Sequence, residues 1–227
     1  MRKTAVLLAL LATTPALAAD PPRPVVIELF TSQGCSSCPP ADRLLTELAR
    51  SRPDVLPLAF HVTYWNALGW RDPYSLEAAT ARQRSYQALA GVYTPQAVID
   101  GSIDAVGSDE AAVRRALARA TPATAIPLQA SRAGAEIAIT AGPGGGRGTL
   151  LLVGYDRSHT TPVGRGENAG ATLTESNIVR SLTVLGAWTG AALSLHAPVP
   201  EGEAFAVLLQ APSGQIIGAA RVATPAA

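Results

Sequence analysis

Val25-Val26-Ile27-Glu28-Leu29-Phe30-Thr31-Ser32-Gln33-Gly34-Cys35-Ser36-Ser37-Cys38-Pro39-Pro40-Ala41-Asp42 is the stretch on which the fold of this chain turns. Its first six residues are β-branched, aliphatic and aromatic apart from Glu28, and read as a strand. Beyond the second cysteine, Ala41, Leu44, Leu45, Leu48 and Ala49 recur at i, i+3, i+4, i+7 and i+8, which is one apolar helix face. Pro39 and Pro40 fit only the first turn of that helix, where backbone N–H groups have no intrahelical partner. Cys35 is therefore expected at or just before a helix N-terminus. Unpaired N–H groups and the helix dipole there stabilise a thiolate and lower its pKa. The order strand–CxxC–helix is the sequence form of a thioredoxin-like redox site.

The pattern continues outward from that stretch. Val55–His61 reads as a second apolar strand, followed by a connection dense in aromatic and turn residues from Val62 to Pro73. A helix is expected from about Ser75 to Ala90. Thr94-Pro95 then introduces the strand Gln96-Ala97-Val98-Ile99, and Asp100-Gly101 turns it into Ile103-Asp104-Ala105-Val106. Ser108 is placed to cap a last helix with acids in its first turn and Arg114, Arg115 and Arg119 near its end. The alternation places an α/β thioredoxin-like domain over residues 24–120.

Thr121-Pro122-Ala123-Thr124 reads as a linker, and the periodicity changes after it. Short runs alternate with period two at 136–140, 149–155, 192–195, 204–210 and 216–222, separated by Gly- and Pro-rich turns. An all-β, antiparallel, sandwich-like domain is expected over 125–223. The segment Thr174 to Leu185 fits strand or helix equally.

The N-terminus reads as an address. Arg2 and Lys3 form a basic region, Ala5 to Ala12 an apolar core, and Ala16-Leu17-Ala18 a small-residue cleavage site. Residues 1–18 are thus expected to be a signal peptide, and the protein to be secreted and periplasmic, where disulfides persist. Removing them takes away Arg2 and Lys3, so that 18 basic residues become 16 against 17 acidic ones. A near-neutral chain has no electrostatic footprint for nucleic acid, and no later stretch is long and apolar enough for a membrane span. No lysine remains after Lys3, which excludes a P-loop and Schiff-base chemistry.

Three readings of Cys35 and Cys38 compete. As a structural bridge they close so small a ring that chain entropy gives only about 2 kcal/mol, against roughly 4.7 for a hundred-residue loop. As a metal site they lack ligands. Cys35, Cys38 and His61 make a candidate set for copper or zinc, but the remaining imidazoles, His159 and His196, lie in the other half. A closed zinc site needs four ligands. As a redox pair, Cys35 attacks or is attacked from an exposed position, and the more buried Cys38 resolves the mixed disulfide. The redox reading needs no cofactor, and its partner is a protein or small-molecule thiol or disulfide.

The chain also resembles a known family, secreted bacterial thioredoxin-like proteins catalogued as domain of unknown function 1223. The likeness is carried by Glu28 to Asp42, by His61-Val62-Thr63-Tyr64-Trp65, by Leu68-Gly69-Trp70-Arg71-Asp72-Pro73 and by Val92-Tyr93-Thr94-Pro95-Gln96. Gly166-Glu167-Asn168 and Asn177-Ile178-Val179-Arg180 extend it into the second half. The resemblance implies a cis peptide at Thr94-Pro95 beside the dithiol, with Thr94 and Pro95 shaping a substrate groove. Two features depart from ordinary thioredoxins. Gly34 rather than tryptophan precedes Cys35, and Glu28 lies one place from the carboxylate that thioredoxins bury. Glu28 is accordingly the candidate proton relay. Tyr64, Trp65, Trp70 and Tyr74 either seal the core under a long loop or present a platform for substrate, with Trp65 and Trp70 foremost. Arg157, His159, Arg165, Glu167 and Asn168 form a polar loop that is either solvated or lines the site. The expected activity is thiol–disulfide exchange, and the alternative is a binding module with a structural or metal-holding CxxC. Nothing in Ser36-Ser37 fixes the direction of electron flow.

Overall fold

The computed structural model describes residues 23–120 and 125–223; the expected signal peptide and the Thr121–Thr124 linker lie outside the described residues. The elements, in chain order, are β1 (Val25–Thr31), α1 (Pro39–Ser51), β2 (Val55–His61), a 3-10 turn (Asn66–Leu68), α2 (Glu77–Ser85), α3 (Gln87–Ala90), β3 (Gln96–Ile99), β4 (Ile103–Val106) and α4 (Glu110–Arg119). Then come β5 (Leu128–Ala133), β6 (Glu136–Ala141), β7 (Gly148–Pro162), β8 (Thr172–Trp188), β9 (Leu193–Pro198), β10 (Ala204–Gln210) and β11 (Ile216–Arg221).

The strands form a mixed eight-stranded sheet in the order β11-β10-β7-β8-β2-β1-β3-β4 and a three-stranded antiparallel sheet, β5-β6-β9. β1 runs parallel to β2 and antiparallel to β3, and β3 forms a hairpin with β4. The two halves expected from the change of periodicity thus share one sheet. They join at β2 and β8 through the parallel pair Ala59 and Ile178, beside which the Asn177 amide donates to the Pro57 carbonyl at 2.8 Å. The segment from Thr174 to Leu185, which fits helix or strand by pattern, is strand throughout.

Side-chain alternation explains why the sheet rolls. Val26, Phe30, Leu56, Leu58 and Phe60 point to one face and share a core with Leu151, Val153, Ala206, Leu208, Ile216 and Ala219 from its far half. Burying each large side chain is worth roughly 1.5–3 kcal/mol. That shared core, rather than the single β2–β8 pair, holds the halves together. Where the far edge comes round, Ile216 N–H donates to the Asp100 carbonyl, and a Cβ on Gly101 would collide with the Gly214 carbonyl oxygen.

The opposite face carries two layers. α1 and α4 cover β1–β4 through Ile27, Leu44, Leu48, Ile99, Val113 and Leu117. The small sheet covers β7 and β10 by packing Ile137 and Ile139 against Leu150, Leu152, Trp188, Phe205 and Val207. β10 is therefore buried on both faces, which is why Ala204–Leu209 is continuously apolar. α4 begins one residue later than the sequence suggests, because the Asp109 carboxylate, not Ser108, accepts the Ala112 N–H at 2.9 Å.

Candidate functional site

β1 ends at Thr31, and the chain turns twice before α1 starts. Cys35 N–H donates to the Ser32 carbonyl at 3.1 Å and Cys38 N–H to the Cys35 carbonyl at 3.2 Å. Cys38 is the N-cap of α1, with proline in its opening positions. Cys35, expected at or just before the helix N-terminus, stands three residues ahead of that N-cap. The two are joined as a disulfide with Cα atoms 5.4 Å apart.

Both cysteines are 0% exposed, whereas Ser36 and Ser37 face solvent. This corrects the expectation of an exposed Cys35, and the reason is a cover from the other half of the chain. The connection between β7 and β8 lies on the CxxC turn. The Asn168 amide donates to the carbonyls of Gln33 and Cys35, 2.9 Å each. The Glu167 carboxylate accepts the Ser36 N–H at 3.0 Å, and hydrogen bonds from Ser36 hold its pKa below the ordinary value. Gly166, at φ +77, lies under Trp70, where a Cβ would come within 3.1 Å of the Trp70 Cβ.

Thr94 and Pro95 sit beside the bridge. The Thr94-Pro95 peptide is cis, and the Thr94 hydroxyl donates to the Cys35 sulfur at 3.4 Å. Trp65 donates its indole N–H to that same hydroxyl at 2.8 Å, and its Cβ lies over Gly34. Trp70 donates to the Gln33 side-chain carbonyl at 3.1 Å. Trp65 and Trp70 are thus part of the wall of the dithiol. Tyr74 points elsewhere and stacks on His159, with centroids 5.0 Å apart. Of the polar loop residues, Glu167 and Asn168 reach the site, while His159 pairs with Asp156 and the Arg157 backbone with Glu203.

A buried polar cluster lies behind this wall. His61, at the end of β2, holds the Asp72 carboxylate through Nδ1 at 2.7 Å, and its Nε2 is 3.8 Å from Glu175 on β8. Gln33 donates its amide to Glu175 at 2.7 Å and its backbone N–H to Asp72 at 2.8 Å. The Thr31 hydroxyl donates to Asp42 at 2.8 Å. None of these side chains is more than 5% exposed. Burial, and then the charge of Glu175, push the Asp42 carboxyl up to about 8. Burial would lower His61, but Asp72 and Glu175 together outweigh it and hold the imidazolium to about 9. Burial likewise works against the Asp72 carboxylate, yet His61 keeps it below the ordinary range.

Glu28 is not among them. It points from β1 to the face opposite α1, where Arg82 engages both its oxygens and the Tyr86 hydroxyl donates to it at 2.6 Å. Strand alternation separates it from the dithiol, so the acid on the cysteine side is Asp42. The candidate metal set does not assemble either. His61 is committed to Asp72, and no group of three His, Cys, Asp or Glu side chains among the described residues is arranged to hold a metal ion.

Sequence reasoning missed the roles of Asp42, Asp72, Glu175 and Gln33. A signal existed for Asp42. It falls at i+4 from Cys38, next to the apolar face, so a carboxylate is buried there.

Comparison with solved structures bears on the fold. The chain is 34% identical to protein AGR_C_4864 from Agrobacterium tumefaciens, with a TM-score of 0.75, covering 87% of this chain and 92% of that one. HBP35 of Porphyromonas gingivalis aligns with a TM-score of 0.64 over 88% of this chain and 74% of that one, but at 14% identity it shares the fold alone. No curated protein matches the chain. The model of the family described as "Protein of unknown function (DUF1223)" matches residues 26–210, from β1 to the end of β10. It takes in the CxxC turn, the Thr94-Pro95 segment, the covering loop and the buried cluster, and the chain belongs to that family.

Proposed function

We propose that this protein is an exported, periplasmic thiol–disulfide oxidoreductase of thioredoxin-like architecture, acting on a protein or small-molecule thiol or disulfide. The observation that carries the proposal is the Cys35–Cys38 bridge at the N-cap of α1, with the Thr94 hydroxyl on the Cys35 sulfur. A bridge closing so short a loop adds little to the fold. A helix N-terminus favours the thiolate that exchange requires. A partner thiolate attacks the Cys35 sulfur, the Cys35–Cys38 bond breaks, and the electron pair leaves on Cys38. The resulting mixed disulfide is resolved by a second thiol or, in reverse, by Cys38.

One observation favours a second reading. With both sulfurs covered, the bridge suits a binding module whose CxxC is structural. Incubation with glutathione and with a disulfide-bonded protein separates the two. The oxidoreductase forms a mixed disulfide that is trapped by Cys38→Ser and abolished by Cys35→Ser. An oxidised bridge inert to glutathione, together with a reduced Cys35/Cys38 pair inert to the disulfide-bonded protein, from pH 6 to 9 would refute the exchange reading.

A further inference from the structure

Resting on that exchange reading, we infer that Asp42, facing Glu175 and His61, is the proton carrier for the Cys38 sulfur. The geometry begins on α1. In a helix the Cα–Cβ bonds tilt toward the N-terminus, and side chains four apart lie one above the other. Asp42 follows Cys38 by four residues, and its N–H donates to the Cys38 carbonyl at 3.1 Å. Its Cβ therefore lies on the same face of α1 as that of Cys38 and tilts toward it. Thr31 fixes one carboxyl oxygen, and the other, Oδ2, is buried without a hydrogen-bond partner among the described residues. Glu175 Oε1 and His61 Nε2, 3.8 Å apart, likewise make no hydrogen bond among the described residues.

The chemistry requires such a group. When the bridge opens, the electron pair left on Cys38 is a charge at a site with no solvent contact, and an uncompensated buried charge costs several kcal/mol. In the reducing direction the Asp42 carboxyl gives its proton to that thiolate and becomes a carboxylate. In the oxidising direction the Asp42 carboxylate takes the Cys38 S–H proton. The new thiolate then attacks the Cys35 sulfur of the mixed disulfide and expels the partner's thiolate. Three charged or titratable groups face Asp42: His61 from β2, Asp72 from the connection after it and Glu175 from β8. With the carboxyl raised to about 8, close to a free thiol at about 8.5, the proton passes either way with little driving force. Glu28, closed off by Arg82 and Tyr86, has no such path.

The test is the pH dependence of oxidation of the reduced protein by glutathione disulfide, followed by tryptophan fluorescence. Asp42→Asn should slow the resolving step about 100-fold at pH 6.5, and the deficit should close above pH 9, where solution base removes the proton. Glu175→Gln removes a like charge and should move the inflection of the wild-type curve to lower pH, which keeps the test alive if Asp42→Asn fails to fold. Curves for both variants that superimpose on wild type would overturn the role of Asp42. Wild type that exchanges with nothing would instead remove the exchange reading. In that case thiolate absorbance of the reduced protein still decides: a Cys38 titration unchanged by Asp42→Asn or by Glu175→Gln rejects the proton contact, and a displaced one supports it.

Discussion

Asn168 holds Cys35 from the far half of the chain: its amide nitrogen donates to the Cys35 carbonyl at 2.9 Å, and also to that of Gln33. The contact spans 133 positions in sequence and fastens the β7–β8 connection onto the CxxC turn. Replacing Asn168 by alanine leaves two carbonyls without that donor, a loss of about 1–3 kcal/mol where such groups are buried. The cover should then open more often. Reduction of the bridge by a small dithiol is expected to accelerate several-fold in Asn168→Ala, with a lowered melting temperature. A rate equal to that of wild type would mean that the loop does not limit access.

Glu28 and Arg82 form a buried ion pair on the face of the sheet opposite α1. Arg82 is almost fully buried, with Glu28, Tyr86 and the Gln210 side chain around its guanidinium. Arg82→Leu strands a buried carboxylate and should cost about 3–5 kcal/mol, whereas Glu28→Leu with Arg82→Leu should recover part of that loss. Urea denaturation of the single and double variants measures both. Glu28→Gln, by contrast, should leave the pH–rate profile of exchange where it is, since its carboxylate faces the opposite side of the sheet.

The amphipathic helix after Cys38 and the hairpin at Asp100-Gly101 were legible because their periodicities and turn residues are local. The rolling of the sheet was not, since Leu151 and Leu208 reveal a shared core with Phe60 only once the strands are ordered in space. Strand β8 escaped assignment for a related reason. Its residues are mostly buried from Glu175 to Val179 and mostly exposed around Val184, so neither period dominates the run. At the site, Cys35, Cys38, Thr94 and Pro95 were readable from motif and order. Glu175 was not, because an acid on a polar strand gives no local sign that it will meet His61.

If the bridge serves exchange rather than structure, losing it should leave the fold nearly intact. A four-residue loop contributes about 2 kcal/mol in the chain-entropy model. The double variant Cys35→Ser, Cys38→Ser is expected to unfold cooperatively, with its stability reduced by no more than about that amount. Calorimetry or urea titration gives the number. A loss approaching 5 kcal/mol, the range seen when small secreted domains lose a structural disulfide, would favour the structural role instead.

The buried cluster also sets the direction in which stability changes with pH. Asp42 moves from an ordinary 3.8 to about 8 on folding, and His61 from 6.5 to about 9. Both groups hold their proton more tightly when folded. Their contribution is therefore complete below the unfolded values and is lost as pH rises through the folded ones. Burial raises Glu175 and adds the same sign, while Asp72, held low, acts in the opposite sense and only in acid below its ordinary 3.8. The urea midpoint should accordingly fall from pH 5 to pH 9. Asp42→Asn should remove the Asp42 share of that fall, between pH 4 and pH 8, leaving the His61 share between pH 6.5 and pH 9. A midpoint that rises over this range would mean that the cluster does not keep its protons in the folded protein.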